Sequence, residues 1–197
     1  MTKEARLVLV LGINLVMVTA LLAVGLLSHS LGVLASGADY LGDGLGAGLA
    51  LIAQRVSRRA AGRSRAISLA ALANSGLLAV VTLGVAIAAI HRLVSGTPAI
   101  HGAPVIVVSV IAAAAMVACA LILGDVEDDL SMQSVMLDTL ADAAAAVGVA
   151  ISGTIILLTK GTYWLDSTVA LAIALVVGYH AGKLIRRALT DVAGTYV

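Results

Sequence analysis

The stretch LGVLASGADYLGDGLGAGLALIA, Leu31 to Ala53, sets Asp39 and Asp43 four residues apart inside an otherwise apolar run of membrane-spanning length. On an α-helix that spacing places two side chains about 40° apart around the axis and about 6 Å apart along it, so both carboxylates face one way. A second stretch, SVMLDTLADAAAAVGVA from Ser134 to Ala150, repeats the arrangement with Asp138 and Asp142. An ionisable group at the centre of a span costs about 2.5–3.5 kcal/mol on insertion scales, and four of them would not be retained on surfaces that face lipid. The four carboxylates are therefore expected to meet one another, or a cation, inside a helix bundle.

Composition makes the membrane reading firm. Of 197 residues, 61% are hydrophobic and only 12% are charged, far beyond what the core of a soluble domain of this size requires. Phe is absent and Trp occurs once, so an aromatic belt does not mark the interfaces. The single Cys119 excludes an intrachain disulfide and a cysteine-cluster metal site. A formal net charge of +1 gives no basis for a nucleic-acid partner; the lipid bilayer is the partner that composition demands.

Working outward from the two acidic stretches, the apolar runs predict six transmembrane helices over residues 7–27, 31–53, 66–90, 104–123, 130–158 and 168–185. The fold class is thus an all-α polytopic membrane protein, read as one transmembrane domain over 1–197. The first run is too long for a secretory signal and further spans follow it. Asn14 within it is read as an interhelical hydrogen-bonding group. His91 and Arg92 close the third span, and Ser95-Gly96-Thr97-Pro98 is a turn. Small residues at four-residue spacing, Gly42/Gly46 and Gly44/Gly48, suit close helix approach and leave room beside Asp43.

Charge distribution sets the orientation. Lys3 and Arg6, the Arg-rich segment Arg55, Arg58, Arg59, Arg63 and Arg65, and Lys183, Arg186 and Arg187 share one side, leaving only Arg92 and Lys160 on the other. Both termini are therefore expected in the cytoplasm, with a bacterial inner membrane as the expected location. The acidic segment Asp125 to Asp129 is read as a solvated loop. Because the acidic pairs lie on the middle helix of each triplet, and the triplets enter the membrane in opposite directions, a 3+3 inverted repeat is expected with its site at the repeat interface.

Several segments together resemble the cation diffusion facilitators. Ser30-Leu-Gly-Val-Leu-Ala35 leading to Asp39 and Asp43 is similar to their second-helix signature, and Leu130 to Asp142 followed by Ala-Ala-Ala-Ala-Val-Gly-Val is similar to their fifth. Leu72-Ala-Asn74 and Ala89-Ile-His-Arg92-Leu93 resemble the third helix, and Trp164-Leu-Asp166 the lead into the sixth. The resemblance implies a proton-coupled antiporter exporting divalent transition metals, a secondary transporter and not an enzyme, usually a homodimer. It carries the tetrahedral metal site onto Asp39, Asp43, Asp138 and Asp142. The sequence stops shortly after the sixth span, so no cytoplasmic domain is expected and a dimer would form through the transmembrane helices.

The site's chemistry follows from its charges. Four carboxylates around one dication would leave a net −2 in a poorly screened interior, so a proton is expected to stay and metal and proton to displace one another. No bound cofactor is expected; the metal is cargo. Zn²⁺ ranks first, by affinity order and tetrahedral preference, with Mn²⁺, Co²⁺ and Cd²⁺ left open by an all-oxygen donor set. The histidines His29, His91 and His101 lie at helix ends and are read as interfacial. His180, within the sixth span, is likewise read as a packing or hydrogen-bonding group, with help in proton transfer near the exit as its alternative role. Two other readings remain. A non-transporting subunit of a longer exporter has no use for four costly carboxylates, and an intramembrane aspartyl protease needs one Asp per helix and a Gly-x-Gly-Asp signature that Asp43 lacks.

Overall fold

The computed structural model describes residues 3–56, 63–123 and 130–194. They form six α-helices: α1 (Lys3–Ser28), α2 (Leu31–Val56), α3 (Arg63–Ser95), α4 (Gly102–Leu123), α5 (Leu130–Thr159) and α6 (Trp164–Gly194). The protein is all-α and polytopic. Stretches of α1, α3, α4, α5 and α6 are long and apolar enough to cross a membrane. The remaining helix, α2, carries Asp39, Asp43 and the glycine run, and it packs against α1, α3, α5 and α6. The helix with two costly carboxylates is thus surrounded by four others.

Which helix touches which has a twofold pattern. The α1–α2 contact is matched by α4–α5 and α2–α3 by α5–α6, while α1–α4, α2–α5 and α3–α6 join each helix to its counterpart. The α2–α6 contact has no comparably developed α5–α3 equivalent among the described residues. The first turn of α6 contributes to this contact by supplying a capping group to α2.

Packing relies on small side chains. Ala35, Ala38, Ala89, Ala112, Ala143, Ala146, Ala170 and Ala174 are buried beside Leu21, Val33, Tyr40, Val105, Met116 and Val149. Where α4 meets α5, a Cβ on Gly102 would lie 2.9 Å from the Gly153 carbonyl oxygen, and one on Gly153 would lie 2.9 Å from Val105 Cγ1. With lipid on the outside, such close backbone approach replaces the hydrophobic effect as the source of helix association. On α3 the exposed residues Val80, Leu83, Ile87, Ile90 and Val94 recur at three- and four-residue spacing, a stripe suited to acyl chains.

Several boundaries differ from those read in the sequence; α1 starts at Lys3 rather than 7, and α6 runs to Gly194 rather than ending at 185. α3 continues past His91 and Arg92 to Ser95, because Gly96, at φ 102°, ends it in the left-handed conformation and donates its N–H to the Arg92 carbonyl at 3.0 Å. α6 begins at Trp164 rather than 168, since Asp166 and Ser167 are wholly buried in its first turn and not left in a polar loop. The Arg-rich segment is shorter than expected: Arg55 belongs to α2, and Arg63 and Arg65 to α3. Arg58, Arg59 and the acidic run Asp125 to Asp129 lie outside the described residues.

The end of the bundle opposite the termini is laced together. The Asp166 carboxylate accepts hydrogen bonds from Ser30 Oγ at 2.5 Å, the Leu31 amide at 2.7 Å and the Gly32 amide at 3.2 Å. Ser30 Oγ in turn accepts from the Val33 amide at 3.1 Å. Three of the unpaired N–H groups at the α2 N-terminus are thereby satisfied, with a negative charge at the positive end of the helix dipole. Arg92 Nη1 donates to the His29 carbonyl at 2.7 Å, and the His101 amide to the Ser28 carbonyl at 3.3 Å. At the other end, Arg6 Nη1 donates to the Ile122 carbonyl at 3.1 Å, placing a cation at the C-terminus of α4.

Candidate metal site

Asp39 and Asp43 lie one helical turn apart near the middle of α2, and Asp142 lies near the middle of α5. One carboxylate oxygen from each of the three comes within 4.8 Å of the others. Asp142 is buried and Asp39 partly so. Asp138, one turn before Asp142, is exposed and lies outside this cluster. Of the four aspartates singled out in the sequence, the structure brings three together.

The crossing of α2 and α5 is held by Tyr40. Its ring is fully buried, and its hydroxyl donates to the Asp142 backbone carbonyl at 3.3 Å. Tyr40 stands between the two aspartates of α2 in sequence, so it couples that turn to the one carrying Asp142. On the α3 side, Asn74 Nδ2 donates to the Gly42 carbonyl at 3.1 Å, immediately before Asp43. Sequence reasoning assigned neither role. A lone Tyr between two acids and a lone Asn in an apolar run were the available signals.

The expected Asn14 hydrogen bond is not made through its amide oxygen, which is buried with no partner among the described residues. The helix that Asn14 faces presents Gly44, which has no side chain to donate. His29, His91, His101 and His180 are all exposed, and none belongs to the carboxylate cluster. His180 sits on α6 with its ring centroid 5.8 Å from that of Tyr179.

Three carboxylates this close repel one another strongly in a poorly screened interior. A dication removes most of that repulsion, and a proton is the other small cation able to do so. All-oxygen donors of this kind accept first-row divalent metals without a strong geometric preference of their own.

Residues 7–192 match the family model described as the cation efflux transmembrane domain. The chain belongs to the cation efflux family. Among curated relatives, a cadmium, cobalt and zinc/H(+)-K(+) antiporter of Bacillus velezensis is 28% identical over 190 residues, covering 88% of this chain and 60% of the relative. The zinc transporter ZitB of Yersinia pseudotuberculosis is 27% identical over 175 residues, covering 85% of this chain and 55% of the relative. ZitB of Yersinia pestis matches at the same identity and coverage. This cation efflux chain thus spans a little over half the length of the curated relatives it matches, and the matched part contains both acidic pairs.

Proposed function

We propose that this cation efflux chain carries divalent transition-metal cations out of the cytoplasm in exchange for protons. Asp39, Asp43 and Asp142 form the heart of the site, and Asp138 completes a four-oxygen set around the ion. The observation that carries the reading is the convergence of three carboxylates from α2 and α5 at the middle of a membrane bundle. The relatives' names, an antiporter of cadmium, cobalt and zinc and zinc transporters, support the class of cargo. Zn²⁺ stands first, with Mn²⁺, Co²⁺ and Cd²⁺ as further cargo, because oxygen donors discriminate weakly among them.

In outline, the cycle alternates two ways of neutralising one cluster. With access to the metal-rich side, a dication displaces the proton or protons held there; with access to the other side, protons displace the dication. A membrane potential of 100 mV adds about 2.3 kcal/mol per net charge moved. The distribution of basic residues supports cytoplasmic termini, and the reading includes an inner-membrane location and a homodimer formed through the helices.

Purified protein in liposomes, given Zn²⁺, Mn²⁺, Co²⁺ and Cd²⁺ separately with a pH-sensitive dye on the far side, tests this. Metal uptake with proton counterflow is the expected outcome, Zn²⁺ showing the lowest KM. Metal uptake without proton movement removes the antiport mechanism. No uptake of any metal removes transport by this chain alone.

A further inference from the structure

Two ligand-bearing side chains, Asp138 on α5 and His180 on α6, stand outside the carboxylate cluster. The register between α2 and α6 shows where His180 lies. Both helices start at the end of the bundle where Asp166 caps α2, and they run in the same direction. A Cβ on Gly32 would lie 3.0 Å from Asp166 Oδ1, which sets these two residues face to face. Asp43 is eleven residues beyond Gly32, which turns it only about 20° from the direction of Gly32 and carries it about 16 Å along α2. His180 is fourteen residues beyond Asp166, about 40° from its direction and about 21 Å along α6.

Between those points the two helices stay side by side. Ala170, Ile173 and Val177 lie on the same stripe of α6 and are buried, and Ile173 and Val177 border a small cavity with Ala35 and Ala38 of α2. His180 therefore extends the stripe that faces α2 and arrives within about one turn of the level of Asp43. Asp138 precedes Asp142 by one turn on α5, which runs the opposite way, so it is displaced from the cluster toward the end that carries both termini. The imidazole acts electrostatically on both Asp43 and Asp138. Lys183, the next cation along α6, is turned about 60° from His180 and lies nearly a turn further toward that end. Asp138 and His180 are both exposed, within reach of an ion arriving from there. Their ligand atoms do not converge as those of the cluster do, so rotation of the two exposed side chains is what gathers them around an ion.

We infer that His180 and Asp138 form, with Asp43, a mixed nitrogen–oxygen site that takes a divalent transition metal from the termini-bearing end of the bundle and passes it to the carboxylate cluster. The inference rests on the transport function proposed above. Asp43 belongs to both sites, so the ion moves on without leaving its last ligand. One imidazole also supplies what the all-oxygen cluster lacks, a donor that suits Zn²⁺ better than Mn²⁺.

The test is Zn²⁺ and Mn²⁺ uptake into liposomes by purified His180→Ala, Asp138→Asn and the double variant, each measured against concentration with a pH-sensitive dye on the far side. In His180→Ala the KM for Zn²⁺ is expected to rise about fivefold, equivalent to about 1 kcal/mol, and that for Mn²⁺ less than about twofold, with the maximal rate and the proton counterflow per ion within about twofold of the parent. The double variant is expected to fall short of the product of the two single effects, because either change breaks the same site. His180→Gln, read the same way, replaces the alanine variant if that one fails to insert. An unchanged KM for Zn²⁺, or an equal rise for Zn²⁺ and Mn²⁺, overturns the site, and so do fully multiplicative effects in the double variant. Lost proton counterflow with an unchanged KM makes His180 a proton carrier and not a metal ligand. Asp142→Asn run in parallel separates the two proposals, since transport surviving in that variant removes the carboxylate site itself, while a parent that moves no ion removes both.

Discussion

Asp142 is the residue on which the site turns, because it alone brings an α5 carboxylate to the pair on α2. Asp43→Asn and Asp142→Asn keep size and hydrogen-bonding capacity while removing charge, and each is expected to abolish Zn²⁺ transport with membrane insertion intact. Asp138→Asn is expected to weaken Zn²⁺ binding less than Asp142→Asn does, since Asp138 is exposed and outside the cluster. Calorimetric titration of the purified variants checks the order; equal losses at Asp138 and Asp142 would place Asp138 at the centre instead. Four-residue spacing made each acidic pair legible in the sequence. It could not say that Asp142 joins the α2 pair while Asp138, one turn away, stays outside the cluster, because that depends on the rotation of α5 against α2 and on the Tyr40 bond that holds their crossing.

At the scale of the helix, α2 depends on a cap supplied from a distant part of the chain. Asp166→Ala removes the acceptor for two backbone amides and the Ser30 hydroxyl and is expected to cost about 2–3 kcal/mol, with Ser30→Ala costing about 1 kcal/mol. Thermal melting in detergent, with far-UV dichroism for helix content, measures both. An Asp166→Ala protein as stable as the parent would deny the cap its importance. The existence of α2 was readable from its apolar run, but its capping partner was not, since 135 positions separate Leu31 from Asp166. Helix contact at α4–α5 gives a paired prediction. Gly102→Ala pushes a Cβ against a backbone oxygen and is expected to lower stability by about 1–3 kcal/mol, whereas Gly148→Ala meets nothing within 4 Å and is expected to be neutral or stabilising. Equal melting of the two variants would deny the close approach its role.

For the whole molecule, six helices in a membrane put the α1–α2, α3–α4 and α5–α6 turns on one side and both termini on the other. A cysteine at Gly161 is expected to react with a membrane-impermeant maleimide on intact cells, and one at Leu189 only after permeabilisation. Both residues are exposed, and the native Cys119 is buried. The reverse pattern would invert the orientation drawn from the basic residues. Helix number and order were legible because hydrophobic length is dictated by the bilayer. Boundaries moved where a buried polar group, Asp166, or a left-handed glycine, Gly96, extended a helix past the end of its apolar run. The pairing of α3 with α6 and α4 with α5 was beyond sequence reasoning, since small-residue packing leaves no periodic signal that names its partner.

If Asp39, Asp43 and Asp142 form one site that metal and protons occupy in turn, binding of one must release the other. Zn²⁺ titration of the purified protein in two buffers of different ionisation enthalpy measures bound metal and released protons together. Saturable Zn²⁺ binding with net proton release, both lost in Asp142→Asn, is the expected result. Zn²⁺ binding that releases no proton, or that survives unchanged in Asp142→Asn, would contradict it.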